Sequence, residues 1–297
     1  MNIGMSIKQI ALRESIPYKE KQVYLAGFPS LEAYIDFLQS LGVSSIEVRI
    51  YHQTSSFEDY QAALSMIQRK GLHITLHGEL SNTVVASHID ADYPSLPPIL
   101  NQLNQPIVMP IHASQGVSDD VDFSARTANI LQTWGNELHE RKHQLQFALE
   151  NNRVKKVIDP GNTIQGVLTI IENLNREDVG ICWDMGHYYS NVLNGKEIAP
   201  PQFETDSLLN TFCNHVVHTH IHGINEEQTT HFPIRSEQDL PLQSFVQLLE
   251  QNHYKGIYNL ELSLERWSEK DDPKQLIAET IQYLQDVITT ARKELDK

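Results

Sequence analysis

The chain has 297 residues, of which 40% are hydrophobic and 21% are charged, and its formal net charge at pH 7 is −15. This composition is typical of a soluble globular protein, and the charge argues against a broad basic surface for nucleic acid, although bound metal ions would still permit a local phosphate site. Two cysteines are too few for a disulfide framework, and we find neither a signal peptide nor a stretch of the ~20 apolar residues that cross a bilayer. We therefore expect a cytoplasmic protein that does not bind membranes.

Short apolar runs alternate with longer amphipathic segments from one end of the chain to the other. The short runs predict eight strands, at Asn2–Ile7, Ser45–Ile50, His73–His77, Ile107–His112, Gln144–Glu150, Val179–Asp184, Val216–Ile221 and Gly256–Leu262. The longer segments predict helices at Ser30–Leu41, Phe57–Lys70, Phe123–His143, Thr163–Leu174, Leu242–Asn252 and Lys274–Glu294. Repeated strand–helix units favour a (β/α)8 TIM barrel, formed by residues 1–297 as a single domain. An open doubly wound sheet would need a glycine-rich phosphate loop after its first strand, and the sequence has none.

Three irregular segments follow the third, sixth and seventh predicted strands, at His88–Pro98, Asn191–Pro201 and Gly223–Leu240. We interpret them as long loops between a strand and the following helix, or as loops with an inserted helix. In a TIM barrel these loops lie on the face that holds the active site.

Acidic residues and histidines recur where the predicted strands end. The apolar runs end in Glu47, His77, His112, Glu150, Asp184, His220 and Glu261, and His187 follows Asp184 by three residues. Because the carboxyl ends of parallel strands meet at the mouth of a barrel, we expect these side chains to converge on a metal or a substrate. A single acid at a strand end is as readily a solvated loop residue, and His77 or His112 alone is as readily a hydrogen-bonded structural histidine. The recurrence favours a site.

The seventh predicted strand carries several histidines. His218, His220 and His222 share one face by their period-two spacing, so depth in the barrel decides which of them reaches a metal. His215 begins the strand and is expected to face elsewhere. The spacing alone leaves the choice open.

These residues give the chain a resemblance to the xylose isomerase-like TIM-barrel superfamily, which includes sugar isomerases and epimerases as well as endonuclease IV. The resemblance rests on strand order over nearly the whole chain and on four motifs, Leu149-Glu150-Asn151-Asn152, Trp183-Asp184-Met185-Gly186-His187, His218-Thr219-His220-Ile221-His222 and Leu260-Glu261-Leu262. It implies that a divalent metal is held by Glu150, Asp184, His220 and Glu261. Mixed oxygen and nitrogen ligands suit Zn, Mn or Co, and the sequence does not choose among them.

The endonuclease IV branch of the superfamily implies additional metal ligands. By this resemblance, His77 and His112 hold a second metal, and His187 and His231 contribute to a third. The branch has an aspartate two residues before the last of these histidines, where this chain has Thr229. That departure weakens the third site.

The resemblance implies two alternative enzymes. In the first, a sugar isomerase or epimerase, the metal stabilises an enediolate while Glu150 and Glu261 exchange a proton. His187, His231 and Arg235 then contact substrate oxygens. Aromatic side chains are expected to form apolar walls around the sugar, namely Trp183, Tyr188, Tyr51 and Trp267.

The second enzyme is a polynuclear zinc phosphodiesterase acting on abasic DNA. It should carry basic or intercalating residues on its loops, but Arg49, Arg153 and Arg235 are scattered along the chain. A non-catalytic sugar-binding barrel is a third reading, and it would not need the complete set of carboxylates. We therefore favour the first enzyme, with a small sugar or sugar-like molecule as its partner. Binding to nucleic acid is disfavoured. The family tendency predicts a homo-oligomer.

Overall fold

The computed structural model of the protein describes residues 1–50, 56–80, 88–200, 202–267 and 271–295. Over these residues, parallel strands close into an eight-stranded barrel. In chain order the barrel strands are β1 Ile3–Ile7, β2 Ser45–Arg49, β3 His73–Glu79, β4 Ile107–His112, β5 Leu145–Glu150, β6 Val179–Asp184, β7 Val216–Ile221 and β10 Tyr258–Leu260. A short antiparallel ribbon lies between the last two, formed by β8 Gly223–Ile224 and β9 Thr230–Phe232. Since β1 pairs with both β2 and β10, the predicted (β/α)8 TIM barrel is confirmed.

Helices connect successive strands. They are α1 Gln9–Leu12, α2 Tyr18–Lys21, α3 Leu31–Ser40, α4 Glu58–Arg69, α5 Ile89–Asp92, α6 Leu96–Leu103, α7 Phe123–Glu140, α8 Ile164–Leu174, α9 Met185–Leu193, α10 Ser207–Cys213, α11 Leu242–Gln251 and α12 Pro273–Leu295. Short 3₁₀ helices lie at Gln22–Leu25, Pro160–Asn162, Gln202–Thr205 and Leu264–Arg266.

Local chemistry fixes several helix ends. The side chains of Ser30, Asp122 and Thr163 each accept a hydrogen bond from a backbone N–H in the first turn of α3, α7 and α8, respectively. Helix α7 was predicted to run to His143 but ends at Glu140, because Lys142 adopts a left-handed backbone with a φ of 61°.

The barrel strands are buried on both faces, between the barrel interior and the surrounding helices. In β6, for example, every residue is buried, which explains why the strand reads as a continuous apolar run. Among the described residues, none of the helices combines the length and the apolar character needed to cross a bilayer. The cytoplasmic location and the single domain spanning 1–297 stay predictions.

Candidate metal centre at the mouth of the barrel

Four predicted metal ligands converge at the carboxyl ends of β5, β6, β7 and β10. The Nδ1 atom of His220 lies 3.0 Å from Oε1 of Glu150, 3.4 Å from Oε2 of Glu261 and 4.0 Å from Oδ2 of Asp184. All four side chains are buried. Three carboxylates thus surround one imidazole nitrogen, although the residues lie far apart in the chain.

His220 is oriented by Glu47 on β2, a strand-end residue that was expected at the mouth, although its contact with His220 was not predicted. Its Nε2 atom lies 3.0 Å from Oε2 of Glu47. An ionised carboxylate only accepts hydrogen bonds, so Nε2 carries the proton. The lone pair of a neutral His220 is then on Nδ1, which faces the three acids. Such an arrangement requires a proton or a metal ion at Nδ1.

The charges around His220 are consistent with this arrangement. Burial opposes charging the His220 ring, but the neighbouring Cys182 and the carboxylates of Glu47 and Glu150 raise its pKa well above the ordinary value. Burial also opposes ionisation of Glu150, yet His112 and His220 hold the pKa of its carboxyl well below the ordinary value. The pocket therefore favours ionised carboxylates and a positive charge at its centre.

Glu47 is itself held by a buried polar network. His218 Nε2 lies 3.0 Å from the same Glu47 oxygen that His220 contacts. The hydroxyl of Ser6 donates to the other Glu47 oxygen at 2.7 Å, and the Asn259 amide donates to Ser6 at 2.8 Å. The deeper histidine of the His-x-His pair is thus a partner of Glu47, whereas His220 is the one that reaches the acids.

Asp184 has two structural roles besides its place among the candidate ligands. Its Oδ1 atom accepts a hydrogen bond of 2.6 Å from the backbone N–H of His187, which caps α9. Its backbone exchanges two hydrogen bonds with the side chain of Asn151, of 2.9 and 2.8 Å. The strand end and the helix start are therefore both fixed at this residue.

His222 positions Asp184 from the opposite side. The backbone N–H of His231 donates to Nδ1 of His222 at 3.0 Å, so the ring proton of a neutral His222 is on Nε2. This Nε2 lies 3.1 Å from Oδ1 of Asp184. The ring also packs on Gly186, where an added Cβ would come within 2.0 Å of it, which explains the glycine of the Asp-Met-Gly-His motif.

His77 and His112 converge on the second oxygen of Glu150. His77 Nε2 lies 3.3 Å and His112 Nε2 lies 3.5 Å from Glu150 Oε2. Burial lowers the pKa of His112 to about 4, although the charge of Glu150 opposes this shift. Both histidines predicted for a second metal thus lie beside the first site.

His187 and His231 also lie at the mouth. His187 Nδ1 is 3.1 Å from Oδ2 of Asp184, and His231 Nδ1 is 3.8 Å from Oε2 of Glu261. The two rings meet edge to face, with centroids 5.3 Å apart. Both histidines therefore lie beside the four candidate ligands, and their contact with a substrate stays a prediction.

Two predicted substrate contacts lie elsewhere. Trp183 is fully buried, and its ring packs on Tyr188, Phe212 and Phe245 in the layer between strand and helices. The prediction that Trp183 and Tyr188 form walls around a substrate is therefore wrong. The reason is the alternation of a strand, because Asp184 points into the barrel and its neighbour Trp183 must point outward.

Arg235 and Trp267 line a cavity of about 860 Å³ beside the ribbon of β8 and β9. None of the four candidate ligands is among the described residues that line this cavity. A contact between Arg235 and a distal part of the substrate stays a prediction. Tyr51, also predicted as a wall, lies outside the described residues.

The donor set fits a divalent metal ion. Within the described ranges, neither Oε2 of Glu150 nor Oδ2 of Asp184 has a hydrogen-bond partner, although both atoms are buried. Buried carboxylate oxygens are strongly destabilising unless a cation or a donor satisfies them. Three carboxylates and one imidazole suit Zn, Mn or Co, and His220 would bind through Nδ1.

Comparison with known proteins places the chain in a family. The family model described as xylose isomerase-like TIM barrel matches residues 35–287. The chain belongs to this family. The resemblance drawn from the sequence motifs is thereby confirmed. No curated protein matches the chain.

Solved structures with a similar fold include sugar epimerases. L-ribulose 3-epimerase has a TM-score of 0.66 at 15% identity, over 100% of this chain and 97% of that protein. The D-allulose 3-epimerase of a Methylomonas species, in complex with D-allulose, has a TM-score of 0.63 at 14% identity, over 96% and 97%. The zinc-bound IOLI protein has a TM-score of 0.59 at 14% identity, over 98% and 99%. At these identities the similarity establishes the fold.

Proposed function

We propose that the protein is a divalent-metal-dependent isomerase or epimerase of a sugar or sugar-like substrate. The observation that carries the proposal is the placement of Glu150 and Glu261, whose oxygens lie 3.0 and 3.4 Å from the same nitrogen of His220. The two carboxyl groups thus flank one metal position from different strands. Two of the similar structures are sugar 3-epimerases, which supports the same class of substrate.

The chemistry divides between the metal and the protein. A divalent metal held by Glu150, Asp184, His220 and Glu261 would polarise a substrate carbonyl and stabilise the negative charge that develops when a carbon-bound proton leaves. Of the protein groups, Glu150 and Glu261 are positioned to accept and return that proton. Epimerisation requires an ionised group on one face of the carbon and a protonated group on the other. Isomerisation requires one carboxylate that moves the proton between adjacent carbons.

The remaining side chains would bind and orient the substrate. His187 and His231 face the pocket from α9 and β9 and are suited to hydrogen bonds with sugar hydroxyls. Asp184 and His220 are positioned by Asn151 and Glu47, so their geometry does not depend on the substrate. A preformed site of this kind lowers the cost of reaching the reactive arrangement.

Proton exchange into ketoses tests the proposed function. Protein loaded with Mn²⁺, Co²⁺ or Zn²⁺ is incubated in D2O with a panel of ketopentoses and ketohexoses, with and without phosphate groups. We expect deuterium to enter one substrate at a carbon next to the carbonyl, together with formation of the isomer or epimer. We expect Glu150→Gln to lose most of this exchange. Glu172→Gln, which changes an exposed acid in the same way, is its matched control. No exchange with any member of the panel under any of the three metals would contradict the proposal for these sugars.

A polynuclear phosphodiesterase is the second candidate function, and one observation favours it. The rings of His77 and His112 point at the Glu150 oxygen that His220 does not contact, so these three residues would hold a second metal in such an enzyme. Cleavage of abasic DNA by zinc-loaded protein, with loss of cleavage in His112→Ala, would support this candidate over the isomerase.

A further inference from the structure

A guanidinium group lies between the candidate metal ligands and the additional histidines. Arg49 ends β2 and pairs in register with His77 on β3. Its Nη2 atom lies 3.0 Å from Nε2 of His77 and 3.1 Å from Oε1 of Glu261. A fixed positive charge therefore contacts both a ligand of the first metal position and a candidate ligand of a second.

The protonation of His77 shows how this contact works. Its Nδ1 donates a hydrogen bond of 3.0 Å to the carbonyl oxygen of Gly78, so Nε2 of the neutral ring carries the lone pair. Glu150 Oε2 lies 3.3 Å from this Nε2 but has no hydrogen-bond partner among the described residues, so its contact with Nε2 is not a hydrogen bond. Arg49 has donors and no acceptor, and it stays charged at every accessible pH. The N–H of Arg49 thus occupies the lone pair through which His77 would bind a metal.

Glu261 is held in the same way. Its Oε1 atom accepts from Arg49, while its Oε2 atom faces His220 at 3.4 Å. The guanidinium therefore supplies positive charge where a second metal would otherwise balance the acids.

We infer that Arg49 takes the position of a second cation, so that the centre binds one divalent metal and His77 and His112 bind none. A second divalent ion at His77 would have to displace the Arg49 N–H and remain beside a like charge, which is unfavourable in a buried pocket. The inference rests on the metal centre of the proposed function but not on the identity of the substrate. It makes Arg49 the residue that sets the number of metals in this barrel.

Metal counting tests the inference. Wild-type protein and Arg49→Met are saturated with Zn²⁺, freed of unbound metal, and analysed for zinc per chain; Arg126→Met, on α7, is the matched control. We expect one equivalent in the wild type and the control, two in Arg49→Met, and one again in Arg49→Met/His77→Ala. Circular dichroism checks that each variant is folded, and Arg49→Gln serves if Arg49→Met does not fold.

Several outcomes would overturn the inference. The first is a wild type that binds two equivalents or none, which is measured without any substitution. The second is an Arg49 variant that stays at one equivalent or falls below it. The third is a double variant that keeps two, which would place the additional zinc away from His77. Because the count is made without substrate, inactivity on sugars bears on the proposed function and leaves this test intact.

Discussion

Nε2 of His220 lies 3.0 Å from Oε2 of Glu47, and this contact determines which nitrogen the imidazole turns toward the acids. The carboxylate fixes the proton on Nε2, so Nδ1 faces the metal position. Such carboxylate–histidine–metal arrangements orient the ring and raise its basicity. Glu47 is therefore a positioning residue that acts through His220.

Removing the Glu47 carboxylate should weaken metal binding. We expect Glu47→Ala to raise the Kd for Zn²⁺ by roughly 10- to 100-fold, because His220 loses the partner that fixes its tautomer. Glu47→Gln should be affected less, since its amide oxygen still accepts from Nε2. The Kd is measured by competition with a chromogenic chelator. Ser6→Ala, which removes a donor to Glu47 and the acceptor of the Asn259 amide but keeps the Glu47 carboxylate, is the control. Equal affinities in wild type and Glu47→Ala would show that the contact does not act on the metal.

Glu150 should be essential for proton transfer. We expect Glu150→Gln to lower turnover by about 10²- to 10⁴-fold, because the amide cannot accept the proton. The measurement is deuterium incorporation into the substrate, with circular dichroism to show an intact fold. A variant with wild-type turnover would remove Glu150 from the mechanism.

Gly186 should be required for the position of His222. A Cβ at this residue would lie 2.0 Å from the His222 ring, so Gly186→Ala must displace the ring that contacts Asp184. We expect a loss of about 1–3 kcal/mol in the free energy of unfolding, measured by urea denaturation. In a His222→Ala background the same substitution should cost much less. Equal costs in both backgrounds would show that the strain arises elsewhere.

Acid should destabilise the metal-free protein partly through His112. Its pKa of about 4 in the folded state lies below the ordinary value near 6.5, so the unfolded chain binds more protons between these pH values. The contribution is fully present above pH 6.5 and is lost as the pH falls toward 4.

The size of this effect follows from the shift in pKa. We expect wild-type protein in EDTA to lose of order 1–3 kcal/mol more stability across this range than His112→Gln. Urea denaturation at several pH values gives the slope of the free energy of unfolding against pH for wild-type protein and for His112→Gln. Parallel slopes would mean that His112 is protonated equally in the folded and unfolded states.

The sequence predicts the positions of the four candidate ligands because each lies at the end of a strand or within one residue of it. The bounds of β4, β6 and β7 agree with the predicted ones. In β4 and β6 the apolar run ends abruptly in a polar residue, His112 and Asp184. The partnership of Glu47 with His220 was not predicted, because it joins residues 173 apart that only barrel closure brings together.

Three further features had a signal in the sequence. Period-two alternation places Arg49 on the same face of β2 as Glu47, inside the barrel, and it places Trp183 opposite to Asp184. Helix α9 begins directly after Asp184, and an aspartate followed by an apolar segment is a typical start of a helix. The direction of the Arg49 guanidinium depends on packing at the mouth, which alternation does not determine.

The paired hydrogen bonds between the Asn151 side chain and the Asp184 backbone tie the end of β5 to the end of β6. The main chain therefore fixes the distance between Glu150 and Asp184, and this distance does not depend on a bound ion. We therefore expect the exchange of one divalent metal for another of similar size to leave the barrel unchanged. When the available metal changes, we expect the turnover rate of the protein to change while its backbone structure stays the same.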